Sequence, residues 1–290
     1  MRISRYDILL KVVACGSFNR AAEQLGYTQS ALSQAVASLE DELGVTLLNR
    51  TRHGVSLSPD GELLFPDVMA ICNAQRNLVN RISAIHHVLV GTVRIGTFTS
   101  ISCRLLPDAI CRFTSEYPKV TFELMHGNYH EIENWLLSGT VDLGFLKLPV
   151  SGSLDVFPLE RERVVAILPL SHPLAASDSV PVQQLAKEKF ILLEEGNNAE
   201  ITPIFEDAGI EPDIAYRMKD DYTVMSFVER GLGIGILPER VLTRTPYHIA
   251  VRPLSPPAFR TIGIAKKHHA PLSTAAQTFL QELEPNFSSR

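Results

Sequence analysis

Residues 28–43, TQSALSQAVASLEDEL, combine an apolar stripe with a face of hydroxyl and amide side chains. The apolar residues recur at the spacing of one helix face, which is predicted to turn inward and consists of Leu32, Val36, Leu39 and Leu43. Ser30, Ser33 and Gln34, with Ala37, then point the other way. Small hydrogen-bonding side chains without a bulky hydrophobe fit a DNA major groove, where they can pair with base edges. The pattern therefore indicates a helix face that could recognise a DNA sequence.

A short helix and a tight turn precede this stretch. Residues 19–25 have helical spacing, Ser17 or Asn19 can cap their start, and Gly26 with Tyr27 closes the helix. Such a pair of helices is typical of a helix-turn-helix. Similar pairs also occur in helical domains that bind no DNA, so spacing alone leaves both interpretations open.

The residues that follow predict a wing. Residues 45–52 have strand character, His53 and Gly54 form a turn, and a second strand begins at Val55. Arg50 and Arg52 lie at the base or tip of this hairpin, from which they could reach phosphates or the minor groove.

Residues 1–66 resemble the winged helix-turn-helix of the LysR-type transcriptional regulators. The run FNRAAEQLGYTQSALSQAVASLEDELGVTLLNRTRHGVSLSPDG follows that family's pattern nearly position by position. The resemblance implies a transcription factor whose partner is double-stranded operator DNA. It also implies base contacts by Gln29, Ser30, Ser33 and Gln34, and contacts to the DNA backbone by Arg20, Arg50 and Arg52.

Length and composition narrow the protein class. A chain of 290 residues with a formal net charge of −5 predicts two or three modules and excludes a generally basic nucleic-acid binder. The sequence has no apolar run long enough to span a membrane, and its N-terminus is amphipathic rather than signal-like, so we expect a cytoplasmic protein without membrane partners.

Cysteine and histidine spacing gives no sign of a metal site or a cofactor. The four cysteines lack CxxC spacing and are expected to be small packing residues. The adjacent pairs His86-His87 and His268-His269 should point apart on a helix or in a strand. We therefore predict no metal, no cofactor and no redox role.

A long helix should follow the wing. Ser58, Pro59 and Asp60 are a helix start, and apolar residues then alternate four and three apart, with one amide among them. These positions are Leu64, Val68, Ile71, Gln75, Leu78, Ile82, Ile85 and Leu89. A helix of about 30 residues spans roughly 45 Å, too long to bury such a seam on its own small domain. The seam predicts a homodimer or homotetramer, the alternative being a helix packed on its own second domain.

Beyond Gly91 strands alternate with helices, which predicts a parallel sheet covered by helices. The runs LLPDAICRFTSEYPKV, LLSGTVDLGF, VVAILPLSHPLA, FILLEE and VERGLGIGILPERV resemble the effector-binding region of the same regulators. The resemblance implies a two-lobed fold like that of periplasmic solute-binding proteins, crossed by segments near 159–165 and 259–264.

The predicted fold class is therefore α/β, with an N-terminal winged helix-turn-helix, a long linker helix and a two-lobed periplasmic-binding-protein-like effector domain. The predicted domains are 1–58, 59–90 and 91–290. Lobe I would comprise 91–162 and 265–290, and lobe II 163–264.

The carboxyl ends of parallel strands are where such a fold binds ligands. Thr99 and Ser100 follow the first strand and open a helix, which favours an anion such as a carboxylate metabolite. By resemblance, the effector pocket includes Ser100, Asn128, Phe145 and Thr202, and Asp221 lies at a further strand end. Helix capping and core packing remain open alternatives for these residues, and the acids Glu194, Glu195 and Asp221 weaken the argument for an anion.

Two other functions are compatible with a two-lobed scaffold. One is a small-molecule carrier, against which residues 1–58 and the missing export signal stand. The other is an enzyme, which we do not predict because no Ser-His-Asp order, metal cluster or catalytic carboxylate pair stands out. The glycines at 231, 233 and 235 follow a helix and enter a strand, the reverse of a dinucleotide-binding loop.

Overall fold

A computed structural model describes residues 3–51, 54–85, 89–150, 152–194 and 201–283. The chain divides into two compact units, Met1–His86 with Ser138–Thr140, and His87–Leu137 with Val141–Arg290. Arg52, the histidines at 86 and 87, and residues 195–198 lie outside the described residues, so the predictions made for them are left as predictions.

The first unit begins with three helices and a two-stranded hairpin, which a long linker helix follows. These first elements are α1 (Arg5–Cys15), α2 (Phe18–Leu25), α3 (Gln29–Leu43), β1 (Leu48–Thr51) and β2 (Gly54–Leu57). Side chains cap each of these three helix starts: Ser4 and Asp7 form a capping box, Ser17, one of the two predicted caps, caps α2, and Thr28 caps α3. Gly26 ends α2 at φ +70°, a conformation that glycine adopts without a Cβ penalty, so the turn into α3 is tight.

The apolar side chains of α1, α2 and α3 form one core. Leu32, Val36 and Leu39 are fully buried, as predicted. Leu43 is 40% exposed, so its predicted place on the inward face was wrong. The reason is its position: Leu43 is the last residue of α3, directly before the left-handed Gly44, and so lies at the edge of the core.

The linker helix α4 spans Pro59–Ile85 and continues through Pro66. Ser58 caps it, since its Oγ accepts the Gly61 amide at 2.9 Å. Val68, which the sequence predicts to lie on a seam between chains, is instead buried in the core of the winged helix. Three later seam residues, Ile71, Leu78 and Ile82, are 43%, 59% and 48% exposed. The first part of α4 therefore packs on its own domain, and only the later part presents an apolar stripe.

The second unit alternates strands and helices. Its first half contains β3 (Gly91–Thr97), α5 (Thr99–Ser102), α6 (Leu105–Glu116), β4 (Val120–His126), α7 (Tyr129–Ser138), β5 (Leu143–Lys147) and β6 (Leu154–Pro169). Its second half contains β7 (Val180–Pro181), α8 (Val182–Leu185), β8 (Lys189–Leu193), α9 (Thr202–Asp207), β9 (Asp213–Met218), α10 (Asp221–Glu229), β10 (Ile234–Pro238), β11 (Ile249–Lys267) and α11 (Thr274–Leu283). Two 3-10 helices cover Pro173–Ala176 and Glu239–Arg244.

The strand order is β4-β3-β5-β11-β6-β10-β8-β9, with β7 paired to β11. β6 and β11 are antiparallel to each other along most of their length, and each extends through both lobes. The strands β4, β3 and β5 of one lobe and β10, β8 and β9 of the other pair in parallel, as expected, and the sheet is antiparallel at its centre, where β6 and β11 cross between the lobes. Each lobe has its own core, one around Phe113 and Phe279, the other around Phe190 and Phe205.

The His268 and His269 rings do not point apart, contrary to the expectation. Their centroids lie 3.7 Å apart, because the chain turns at His269, whose φ is +55°. In the described part of the chain no three potential ligands come together as a metal site. Within that same part, every helix falls short of the length and apolarity needed to cross a membrane.

The four cysteines differ in environment, which gives a first prediction. Cys72 is fully buried, whereas Cys103 and Cys111 are exposed. Burial, reinforced by the nearby Asp7 carboxylate, raises the pKa of the Cys72 thiol to about 12. Because the thiolate is the reactive form, iodoacetamide at pH 8 should modify Cys103 and Cys111 and leave Cys72 intact, as read by peptide mass mapping. In denaturant all four should react, and equal rates in the folded protein would contradict the assignment.

Candidate functional site

The predicted base-reading residues lie on one surface of α3. Gln29, Ser30 and Gln34 are exposed and Ser33 is half-buried, while the opposite face of the helix is packed in the core. The Thr28 hydroxyl caps the helix and also lies 3.1 Å from the Ser30 hydroxyl. The surface combines two amides and two hydroxyls, the donors and acceptors that major-groove base edges can meet.

Arg50 of the wing lies against this surface. Its Nη1 donates to the Ser33 Oγ at 2.8 Å, and its guanidinium carbon is 4.7 Å from the centre of the Phe18 ring. The Glu40 carboxylate is 3.8 Å from Nη2. Arg50 thus joins β1 to both α2 and α3, a contact that sequence reasoning missed because 17 residues separate it from Ser33.

Glu40 fixes the base of the wing. Its Oε1 accepts the backbone amides of Leu47 and Leu48 at 2.7 and 3.0 Å. A carboxylate that accepts two amides holds the strand start in place more firmly than a neutral acceptor would. Arg20, the other described arginine of the predicted interface, is exposed on α2.

The predicted effector residues are placed in several environments. Ser100 is buried, and Thr99, half-buried beside it, has its Oγ1 3.4 Å from His126 Nε2. Asn128 caps α7, because its Oδ1 accepts the Glu131 amide at 2.9 Å and the Glu131 carboxylate accepts the Asn128 amide. In this conformation the Asn128 side chain therefore acts as a helix cap, the alternative to effector binding.

The other three effector candidates differ in their burial. Phe145 is fully buried in the core of lobe I, which favours the packing alternative. Thr202 is half-buried at the start of α9 and follows residues that the structure does not describe. Asp221 is buried at the first position of α10. Of the six candidates, Thr99 and Ser100 line a common cavity.

A buried ion pair joins the two crossing strands. Arg260 of β11 and Glu162 of β6 are directly paired in register, and their side chains are 1% and 2% exposed. Arg260 Nε and Nη2 donate to Glu162 Oε2 at 2.8 and 2.6 Å. Two other guanidinium hydrogens reach lobe I: Nη1 donates to the Tyr129 hydroxyl at 2.8 Å, and Nη2 donates to Ser100 Oγ at 2.6 Å.

The same network continues into lobe II. Glu162 Oε1 accepts the backbone amide of Arg240 at 2.9 Å, and the Arg240 side chain pairs with Glu160 at 2.6 Å. Burial raises the pKa of the Glu160 carboxyl, and the Arg240 guanidinium partly offsets this by favouring the carboxylate. Ser100 in lobe I and Arg240 in lobe II are thus both bonded to the central pair.

A cavity of about 380 Å³ lies beside this network, with both lobes in its wall. Lobe I contributes Ser100, Cys103 and Arg104, and lobe II contributes Tyr222, Arg240 and Arg244. Arg104 Nη1 donates to Thr243 Oγ1 at 3.0 Å, a direct bond between the lobes. The volume suits a small metabolite, and the polar groups could orient it.

Sequence reasoning placed the two crossing segments correctly but missed the arginines and glutamates within and beside them. A signal was present, because Glu160, Glu162 and Arg260 are charged residues in segments predicted to run through the protein interior. A charge in such a segment needs a partner, which could have been sought in the other crossing segment.

Comparison with known proteins gives the family. The model for the LysR substrate binding domain matches residues 86–288, and that for the bacterial regulatory helix-turn-helix protein, lysR family, matches residues 3–62. The probable HTH-type transcriptional regulator LrrA of Synechococcus elongatus is 34% identical over 270 residues, covering 91% of this chain and 90% of that protein. The transcriptional dual regulator GltC of Bacillus subtilis is 31% identical over 265 residues, covering 89% and 88%.

A solved structure shares the whole architecture. A variant of full-length OxyR from Pseudomonas aeruginosa matches with a TM-score of 0.73 at 23% identity, covering 100% of this chain and 96% of that chain, which shows a common fold. Because the matched families regulate transcription, the enzyme alternative is set aside. Both modules, in the order and over the lengths observed, place this chain in the LysR family of DNA-binding transcriptional regulators with a C-terminal effector-binding domain.

Proposed function

We propose that the outer face of α3 reads operator sequence through Gln29, Ser30, Ser33 and Gln34. The observation that carries this proposal is the contrast between the two faces of the helix, since Leu32, Val36 and Leu39 are fully buried while the amides are exposed. Arg20, Arg50 and Arg52 would contact the DNA backbone. The site of action would then be the cytoplasm, where bacterial operator DNA lies.

The active form in this proposal is a homodimer or homotetramer. The support is the apolar stripe on the later part of α4, where Ile71, Leu78 and Ile82 remain exposed at coiled-coil spacing. Two copies of this helix would bury the stripe and present two DNA-binding units, as a two-fold operator requires.

The effector in this proposal is a small molecule bound between the lobes, with a carboxylate metabolite as one candidate. Closure of the lobes on the ligand would change the angle between two DNA-binding units through α4. The ligand can shift this equilibrium only by its difference in affinity for the two states. The Arg260–Glu162 pair supports the proposal, because its bonds to Ser100 and to Arg240 make it sensitive to both lobes.

Base reading predicts a loss of discrimination when the polar face is truncated. The double variant Ser33→Ala/Gln34→Ala should lose about 1 to 3 kcal/mol of binding free energy per missing base contact on preferred DNA, and less on other sequences. Fluorescence anisotropy with duplexes selected by the wild-type protein from a random library measures both affinities.

Arg20→Ala is the control for base reading. A lost phosphate contact should weaken binding to all duplexes by a similar factor and reduce the slope of log K against log salt by about 1. If the double variant kept its full discrimination, Ser33 and Gln34 would have no reading role.

Dimerisation predicts a dependence on the exposed stripe of α4. Leu78→Glu/Ile82→Glu places like charges on the proposed seam, so the complex should dissociate to monomers at micromolar concentration in analytical ultracentrifugation. Leu63→Glu is the matched control, because Leu63 is 77% exposed on the same helix but off the seam. An unchanged mass of the double variant would exclude this seam as the interface.

The crossing-strand pair predicts a large stability effect. Arg260→Met leaves the Glu162 charge buried with a backbone amide as its described partner, which should cost about 3 to 5 kcal/mol of unfolding free energy. Adding Glu162→Met should recover much of this loss, because the unpaired charge is removed. Urea denaturation followed by the fluorescence of Trp135, the single tryptophan, reports on lobe I.

Arg163→Met tests whether the loss of any arginine from the two crossing strands would have the same effect. Arg163 is exposed and lies 3.8 Å from Glu239, so its loss should cost at most about 1 kcal/mol. Equal losses for Arg163→Met and Arg260→Met would contradict a special role of the buried pair.

A further inference from the structure

The hydrogen bond between the wing and α3 limits what the Ser33 hydroxyl can do. Arg50 Nη1 donates to Ser33 Oγ at 2.8 Å, and within the described part of the chain the hydroxyl hydrogen of Ser33 has no acceptor. A serine hydroxyl has one hydrogen to donate and two lone pairs with which to accept. Because Arg50 engages one lone pair, the hydrogen is the group that Ser33 can offer to a further partner.

The Arg50 side chain is held at this place by two further contacts. Its guanidinium carbon lies 4.7 Å from the centre of the buried Phe18 ring, and its Nη2 lies 3.8 Å from a Glu40 carboxylate oxygen. Glu40 is itself fixed, because its other oxygen accepts the backbone amides of Leu47 and Leu48. An aromatic face and a carboxylate both suit the planar, permanently charged guanidinium group. The bond to Ser33 is therefore made by an arginine that is oriented before DNA arrives.

The charge of Arg50 decides which base group suits Ser33. An isolated serine can donate to a base acceptor or accept from a base amino group. Here an amino group that donated to Ser33 Oγ would bring its positive hydrogen towards a guanidinium nitrogen only 2.8 Å from the same oxygen, and like charges repel. A keto oxygen carries negative partial charge, so it is attracted both to the hydroxyl hydrogen and to the cation behind it.

We propose that Arg50 positions Ser33 as a hydrogen-bond donor, so that α3 reads a keto oxygen, guanine O6 or thymine O4, in the major groove. The inference rests on the proposed reading role of α3 and specifies what Ser33 reads. Each base pair presents one keto oxygen and one amino group near the middle of the major groove, in an order that reverses when the two bases exchange strands. Ser33 therefore accepts G·C and T·A at its position and disfavours C·G and A·T.

Base selection locates the position that Ser33 reads. The full-length protein and its Ser33→Ala variant each select duplexes from a random library, and the base pair at which only the variant loses its preference is the Ser33 position. Fluorescence anisotropy then measures the affinity of the wild-type protein for all four base pairs there. Exchange of the two bases between strands should weaken binding about fivefold, whereas replacement of G·C by T·A should change it by less than about twofold.

Arg50→Gln tests the positioning role. The variant should lose most of the fivefold cost of base exchange at the Ser33 position and keep the preferences at the other positions. Combined with Ser33→Ala, it should cause no further loss of discrimination, because both changes remove one contact. Circular dichroism melts check that the variants are folded. A loss of preference at every position would indicate that Arg50 only supports the wing, and would overturn the proposal.

Arg20→Gln is the matched control. It removes the same charge from an exposed arginine of α2 that makes no hydrogen bond to Ser33 in the described structure. Binding to all duplexes should weaken by a similar factor, and the cost of base exchange at the Ser33 position should stay about fivefold. An equal loss of discrimination in Arg20→Gln and Arg50→Gln would contradict a role specific to Arg50.

The outcomes separate this inference from the proposed function. If Ser33→Ala changed the preference at no position, Ser33 would have no reading role, and both would fail. If Ser33→Ala removed a preference that Arg50→Gln retained, reading by α3 would stand and positioning by Arg50 would be excluded. A preference that grouped G·C with A·T would mean that Ser33 reads the purine N7, and would refute the keto assignment.

Discussion

The buried ion pair of Glu162 and Arg260 is the constraint on which the effector domain depends. Two charges without contact to water are tolerated only if each is hydrogen-bonded, so their surroundings must be arranged around them. The pair lies where β6 and β11 cross between the lobes, and it makes further hydrogen bonds to Ser100 and Tyr129 on one side and to the Arg240 amide on the other. A change in lobe position must therefore keep these bonds or exchange them for others.

Hydrogen-bonded charged side chains also connect the elements of the winged helix. Glu40 accepts two amides at the start of the wing, and Arg50 bonds back to Ser33 on α3. The helix α3 and the wing are thus linked by side chains as well as by the core. An arginine that is oriented before DNA arrives loses less side-chain freedom on binding than one that is free in solution, which favours a defined position on the duplex.

Much of the architecture was predictable because its signals are local. The caps at Ser4, Ser17 and Thr28 and the left-handed Gly26 need only a few neighbouring residues, so the helices of the DNA-binding unit follow from short-range chemistry. The alternation of strands and helices beyond Gly91 likewise follows from short runs of residues. Periodicity predicted less well at element ends and on shared faces, as the exposure of Leu43 and the burial of Val68 show.

Local pattern therefore specifies the elements, their order and the outward face of α3, since each depends on residues within one or two helical turns. Folding in three dimensions decides which distant polar side chains meet: Glu162 and Arg260 are 98 residues apart, and Arg104 and Thr243 are 139 apart. It also decides that Phe145 is a core residue and that two arginines from opposite lobes line one cavity. Burial and pairing are properties of the packed chain, so no short segment encodes them.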